Sequence, residues 1–164
     1  MKPRHVSLAI AAAYAAVLAC GGSSGPSNTF AAQLKGANET PANSETGTGT
    51  ATITRNGATV NYSVTASGLT GNATGAHIHI GPVDKAGPII VDTFALTPAP
   101  AGTSTSFSGT FTESNIKNPT SPPLSTPIAT MDQLFDAIRA GNAYYNIHTA
   151  AHPGGEIRGQ LVAQ

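Results

Sequence analysis

The stretch TGTGTATITRNGATVNYSVTASGL, residues 46–69, constrains the fold of this chain more than any other segment. Before Asn56 threonines alternate with small or apolar residues, and after Gly57 apolar residues alternate with polar ones. An alternation with a period of two places successive side chains on opposite faces of a β-strand. The Asn-Gly dipeptide between the two runs favours a tight turn between antiparallel strands. The stretch therefore predicts a β-hairpin.

Shorter runs with the same alternation lie on both sides of this hairpin, separated by segments rich in glycine and proline. Short strands at such spacing are typical of all-β domains. We therefore expect an all-β fold, either a Greek-key β-sandwich or a flattened barrel. The further strands are expected at residues 30–35, 73–80, 89–94, 104–112, 142–149 and 156–162.

One short helix is expected near residues 131–140. Thr130 is followed three residues later by Gln133, which is the spacing of a capping box, and Gly141 is suited to end the helix. The proline-rich segment 114–129 before it is expected to be a loop. The buried stripe of the helix is expected to comprise Leu134, Phe135 and Ile138.

The amino terminus has the features of an export signal. Lys2 and Arg4 precede an apolar run at residues 6–19, which is too short to span a bilayer comfortably. The run ends in Val-Leu-Ala-Cys, which resembles the lipobox of bacterial lipoproteins, and Cys20 is the only cysteine of the chain. We therefore predict a signal peptide at 1–19, a lipidated Cys20 with a flexible tether to residue 29, and one domain at 30–164.

This amino terminus predicts where the protein is located. The protein would lie in the cell envelope, facing the periplasm or the exterior, with its acyl chains in the lipid membrane. The alternative is an ordinary cleaved signal in which Cys20 is incidental. Without the signal, six basic residues remain against eight acidic ones, a net charge of about −2. No basic patch is visible, so the sequence argues against a nucleic-acid partner.

Two histidine-containing motifs point to a candidate site. In AHIHIG, alternation with Ile78 in the core places His77 and His79 together on the opposite face. In NAYYNIHT, alternation with Ile147 in the core places His148 outward as well. Two imidazoles at positions i and i+2 of a strand can converge on one ion, and a histidine from another strand would provide a third ligand.

The same two motifs resemble the CHRD domain, a module named after chordin and found singly in many bacterial secreted proteins. The resemblance rests on GAHIHIGPVDKAGPII and AGNAYYNIHTAAHPGGEIRGQL and covers residues 31–163. It implies an extracellular module without a generally assigned activity. The fold that it implies is superoxide-dismutase-like or immunoglobulin-like. A His-x-His strand is also similar to the copper strand of copper/zinc superoxide dismutases, but the paired cysteines and the further histidines of that family are missing here.

We therefore expect a membrane-anchored binding module that holds copper or zinc, the ions that imidazole-rich sites favour. The expected ligands are His77, His79 and His148, with His152 and Glu156 as further candidates. Whether the three rings meet depends on whether strands 73–80 and 142–149 are neighbours.

Other residues of the motifs are expected to have supporting roles. Asn146 is expected to orient a ligand imidazole from outside the coordination sphere. Glu156 and Arg158 share the outward face, where exposed charge pairs would contribute about 0–1 kcal/mol.

Two other hypotheses stay open at this point. One is a metal-free adhesion or scaffolding module that contacts protein or glycan. The other is a copper-dependent redox enzyme of superoxide-dismutase-like architecture. No motif demands turnover, so the sequence predicts no catalytic residues.

Overall fold

Nine antiparallel strands form one curled sheet in the computed structural model, which describes residues 25–119 and 127–164. The all-β prediction is confirmed. Among the described residues two α-helices lie between strands in the order of the chain. The strands are β1 (Thr29–Lys35), β2 (Thr48–Asn56), β3 (Thr59–Ser67), β4 (Ala73–Ile80), β5 (Ile89–Asp92), β6 (Thr105–Thr112), β7 (Ala143–Thr149), β8 (Ile157–Gln160) and β9 (Val162–Ala163), and the helices are α1 (Thr93–Leu96) and α2 (Met131–Arg139).

The sheet has the strand order β5-β4-β7-β8-β1-β2-β3-β6, with β9 paired to β1. It curls into a half-barrel whose end strands are β5 and β6. Helix α1 contacts both β4 and β6 across this opening. There the Tyr62 hydroxyl donates to the Thr93 carbonyl (3.2 Å), and the Thr93 hydroxyl donates to the Ala76 carbonyl (2.7 Å). The apolar residues of the inner face pack into one continuous core.

The predicted hairpin is present as β2 and β3, with a turn shifted by one residue. Asn56 pairs with Thr59, so the central residues of the turn are Gly57 and Ala58. Gly57 has a φ of 63°, whereas Asn56 is still part of the strand. A positive φ at the first central position alone is the arrangement of a type II′ turn, which also suits the twist of a hairpin.

The predicted helix is confirmed as α2. Thr130 caps it by accepting from the Gln133 backbone, and the Gln133 side chain completes the capping box. Phe135 packs edge-on against Phe30 of β1 with 5.7 Å between ring centroids, so the helix covers one part of the core. The predicted stripe is buried at Leu134, Phe135 and Ile138.

Two strand predictions differ from the structure in their bounds. The strand expected at 89–94 ends at Asp92, because the Asp92 carboxylate accepts from the Ala95 backbone and starts α1. The strand expected at 156–162 is interrupted at Leu161, whose N–H donates to the Ala143 carbonyl (3.0 Å) between β8 and β9. The loop expected at 114–129 lies partly outside the described residues.

Three loop segments cover the outer face of β4, β7 and β8, namely 36–45, 81–88 and 150–156. The Arg158 guanidinium donates to the carbonyls of Pro82 and Lys85 (3.0 Å each) and to the Thr40 hydroxyl (3.2 Å). Arg158 is 2% exposed and Glu156 is fully buried. The expectation that Glu156 and Arg158 form exposed charge pairs is therefore wrong, because the covering segments bury Arg158 and the Glu156 carboxylate is buried in hydrogen bonds with Thr70 and Thr149.

The predicted signal peptide and Cys20 lie outside the described residues, as does the first half of the tether. Neither α1 nor α2 has the length and apolar character that crossing a membrane would require, and the described residues contain no other α-helix.

Candidate metal centre

Strands β4 and β7 are neighbours, which is the condition for the three histidines to meet. In their antiparallel register His77 pairs with Asn146, His79 with Tyr144, and Gly75 with His148. Side chains of paired residues lie on the same face of a sheet. His77, His79 and His148 therefore lie side by side on the outer face of the half-barrel.

The three rings form a compact cluster. His77 Nδ1 lies 3.0 Å from His148 Nε2. The ring centroids are 4.7 Å apart for His77 and His148, 5.5 Å for His77 and His79, and 6.2 Å for His79 and His148. One nitrogen from each ring lies within 4.8 Å of the other two. These separations are short enough for one ion to bind all three rings after a small contraction of the cluster.

Two of the imidazoles, those of His79 and His148, use their second nitrogen for a hydrogen bond outside the cluster. His79 Nδ1 lies 2.8 Å from the Gly87 carbonyl oxygen, and His148 Nδ1 lies 3.0 Å from the Pro153 carbonyl oxygen. Because a carbonyl oxygen only accepts, both Nδ1 atoms carry the proton and both Nε2 atoms have an unshared pair. His77 Nε2 faces Asp92 Oδ1 at 3.6 Å.

The nitrogens that remain for an ion are thus His77 Nδ1, His79 Nε2 and His148 Nε2. Of these, His79 Nε2 is buried and has no hydrogen-bond partner among the described residues. A buried polar atom without a partner is costly, and at a functional site it often marks the place of a ligand. Backbone carbonyls or carboxylates behind histidines are the usual way in which proteins orient metal-binding imidazoles.

His79 differs from the sequence prediction because it is 7% exposed rather than on an open surface. Its ring stacks on Tyr144 with 4.8 Å between centroids and an angle of 9°. The Arg158 guanidinium carbon lies 3.4 Å from the centroid of the Tyr144 ring. The segment 81–88 covers these side chains through the Gly87 carbonyl. His77, with a side chain 13% exposed, lies closer to solvent.

Burial keeps the imidazoles neutral at pH 7. Burial, with a smaller contribution from His148, lowers the pKa of His77 from 6.5 to about 4. Burial also lowers the pKa of His79 to about 4, although its hydrogen bond to Gly87 opposes the shift. The pKa of His148 is lowered by burial as well. Since only neutral imidazole binds a metal ion, all three rings are in the form that coordination needs.

Asp92 provides a negative charge beside the cluster. Although burial raises the pKa of Asp92, hydrogen bonds from the Ala95 N–H and from Lys117 outweigh it, and the pKa lies below its usual value. Lys117 Nζ is 3.2 Å from Asp92 Oδ2. The carboxylate is therefore ionised, and its negative charge lies 3.6 Å from His77 Nε2.

Gly75 leaves the space that the His77 ring needs. A β-carbon on Gly75 would lie 2.9 Å from His77 Cε1 and 3.4 Å from His148 Cδ2. Contacts below 3 Å force a neighbour to move, so a side chain at this position would displace the His77 ring.

The structure does not bring the other two candidate ligands into the cluster. His152 Nε2 contacts Glu45 Oε1 at 3.1 Å. Glu156 accepts from the backbone and hydroxyl of Thr70 (2.8 and 2.6 Å) and from the Thr149 hydroxyl (2.6 Å). The Glu156 carboxylate thus joins the ends of three chain segments rather than facing the histidines.

Sequence analysis missed several residues around the cluster, because their roles depend on loops. Asp92 lies behind His77, Tyr144 stacks on His79, and Glu39 lies in the covering segment 36–45. Glu39 is 8% exposed, and burial raises its pKa to about 7 against the opposing charge of Arg158. Glu39 lies in a loop between Asn38 and Thr40, where no periodic signal would have identified it.

The fold and the site define a class: a β half-barrel with a histidine cluster on its covered outer face. The chain matches the CHRD domain family over residues 30–161. It therefore belongs to the CHRD domain family, as the two histidine-containing motifs indicated. Comparisons with curated proteins and with solved structures give no match.

Proposed function

We propose that this CHRD domain is a binding module that holds one transition-metal ion, zinc or copper, through His77, His79 and His148. One observation carries the proposal. One nitrogen from each of the three rings lies within 4.8 Å of the other two, and the second nitrogens of His79 and His148 are held by backbone carbonyls outside the cluster. Imidazole nitrogen is a preferred ligand of zinc and copper ions and a poor one for calcium or magnesium.

The charges around the cluster support a dication. Three neutral imidazoles contribute no charge, but Asp92 lies behind His77 and the Glu39 carboxyl lies in the covering layer. Lys117 contacts the Asp92 carboxylate, and the Arg158 guanidinium donates to the carbonyls of Pro82 and Lys85, so neither cation is bonded to the three histidines. Asp92 and Glu39 thus place two acidic side chains near the cluster, and negative charge there lowers the cost of a bound divalent ion.

We further propose that the module is displayed from a membrane in the cell envelope by a lipid on Cys20. The sequence supports this through the basic start, the short apolar run and the position of the single cysteine. Such an anchor would hold the metal-binding face outside the cytoplasm, within reach of extracellular protein or glycan.

The test is a titration of the full-length chain with Zn(II) and Cu(II), after removal of metal with a chelator. We expect about one equivalent of high-affinity uptake at pH 7.5. Replacing all three histidines with glutamine should abolish this uptake. His77→Gln alone should weaken it at least tenfold, and this ring is the less buried of the two on β4, so the variant should still fold.

His152→Gln is the matched control, because His152 contacts Glu45 and lies outside the cluster. It should bind zinc as the native chain does. The proposal is wrong if the native chain takes up no ion. It is also wrong if the triple variant binds like the native chain, or if uptake depends on His152 instead.

A further inference from the structure

We propose that Asn146 is a fourth ligand of the ion, bound through its amide oxygen, so that the site has three nitrogen donors and one oxygen donor. This inference rests on the proposed metal site. It differs from the role expected from the sequence, in which Asn146 only orients an imidazole from outside.

Asn146 has the position that a fourth ligand needs. It pairs directly with His77 across β4 and β7, and its side chain lies on the face that carries the three rings. Only 2% of the residue is exposed. Its Oδ1 atom lies 3.0 Å from His148 Nε2, the same separation that His77 Nδ1 has from that nitrogen.

These separations fit a shared ion. Two ligand atoms bound to one ion at about 2.0–2.1 Å lie roughly 2.9–3.4 Å apart, depending on the angle between the bonds. Both 3.0 Å separations around His148 Nε2 fall in this range. His148 Nε2 therefore already has two donor atoms at separations that one shared ion allows.

The proton positions give an independent reason for a cation here. His148 Nδ1 donates its proton to the Pro153 carbonyl, so Nε2 of the neutral ring has an unshared pair and no proton. The Asn146 oxygen that faces it is also an acceptor only. In the metal-free chain His77 Nδ1 is placed to donate to His148 Nε2, whereas the Asn146 oxygen faces the same nitrogen at 3.0 Å without a proton between them, and a metal ion bound here would be shared by both acceptors.

Glu39 and Gly155 lie behind the other end of the amide. A β-carbon on Gly155 would lie 2.5 Å from Glu39 Oε1 and 2.8 Å from Asn146 Nδ2, so both atoms lie against the same glycine. Among the described residues no group meets the geometry of a hydrogen bond to Glu39 Oε1. The Asn146 amide is nevertheless close enough to lower the pKa of the Glu39 carboxyl. A carboxylate here favours the orientation in which the amide nitrogen faces Glu39 and the oxygen faces the histidines. Turning the amide by 180° would set its oxygen against the carboxylate.

The test compares four forms of the full-length chain: native, Asn146→Ala, Asn146→Asp and the double variant Glu39→Gln with Asn146→Asp. Asn146→Ala should weaken zinc binding about 100-fold, since a ligand is lost. Asn146→Asp alone places two carboxylates side by side. In the double variant the new amide at position 39 can donate to the new carboxylate at position 146. This variant should bind zinc at least as tightly as the native chain.

A spectroscopic readout separates a ligand from a structural role. In the Cu(II) form of the double variant, a carboxylate oxygen would replace a neutral amide oxygen, and the g∥ value of the electron paramagnetic resonance spectrum should fall. Asn61→Ala, an exposed asparagine on β3, is the matched control and should change neither readout.

The outcomes are distinguishable from failure of the site as a whole. If the native chain binds no metal, both proposals fail. If the native chain binds but Asn146→Ala loses less than about threefold in affinity, the three-histidine site stands and the fourth ligand is refuted. An unchanged copper spectrum in the double variant refutes it as well, and would assign Asn146 to the turned orientation, donating to His148.

Discussion

Metal binding by this domain should persist at a pH where ordinary histidine sites fail. Between pH 7 and pH 5 the neutral fraction of a histidine with a pKa of 6.5 falls about 25-fold. The fraction of molecules in which two such rings are both neutral falls about 600-fold, and metal binding weakens by the same factor. His77 and His79 have a pKa of about 4 in the folded chain. At pH 5 about nine-tenths of each ring is still neutral, so the two together should weaken binding only about 1.2-fold. The pKa of His148 is lowered as well, which makes its contribution smaller than that of an ordinary ring.

The assay is zinc binding at pH 7, 6 and 5, by competition with a chelator whose own protonation is known. Calorimetry in two buffers of different ionisation enthalpy would count the protons released. Glu39, with a pKa of about 7, lies near the site, and the same series in Glu39→Gln removes its proton from the count. We expect a change in the dissociation constant of this variant below the roughly 30-fold that one ordinary ring beside these two would give, and fewer than one proton released per ion at pH 5.5. A loss of several hundredfold, or release of nearly two protons, would refute the burial argument.

Three further predictions concern stability, packing and anchoring. Without metal, Glu39→Gln should be more stable than the native chain at pH 8 but not at pH 4.5. Because the pKa of Glu39 is raised from 4.5 to about 7 in the folded chain, the stability that this carboxyl contributes in acid is lost as the pH rises, up to roughly 3 kcal/mol. Denaturant unfolding at both pH values measures this difference. Gly75→Ala should weaken zinc binding at least tenfold by displacing His77, whereas Gly154→Ala, whose new β-carbon would meet no atom within 4 Å, should leave the dissociation constant unchanged. Cys20→Ser should move the protein from the membrane fraction to the soluble fraction on cell fractionation, and an unchanged distribution would rule out the lipid anchor.

Local patterns were sufficient to predict much of the fold. The alternation around Asn56 and Gly57 predicted β2 and β3, and the Thr130–Gln133 capping box predicted α2, because both signals depend on residues close in the sequence. The same alternation placed the histidines of β4 and β7 on one face. The errors at strand ends arose where a single contact decides the boundary, as when Asp92 caps α1.

The covering layer could not be predicted in this way. The segments 36–45, 81–88 and 150–156 have no periodicity, and their contacts with Arg158 and His79 join residues far apart in the chain. For that reason the outer face was expected to be exposed, and the burial that sets the protonation of His79 was missed. The site also depends on the pairing of β4 with β7, and the sequence predicted both strands without showing that they are neighbours.

The most direct test of the metal site is a crystal structure of the full-length chain grown with Zn(II), with anomalous diffraction measured at the zinc edge. The account predicts one strong anomalous peak about 2.0–2.1 Å from His77 Nδ1, His79 Nε2 and His148 Nε2. A zinc peak elsewhere, such as between His152 and Glu45, with no density among the three rings, would contradict it.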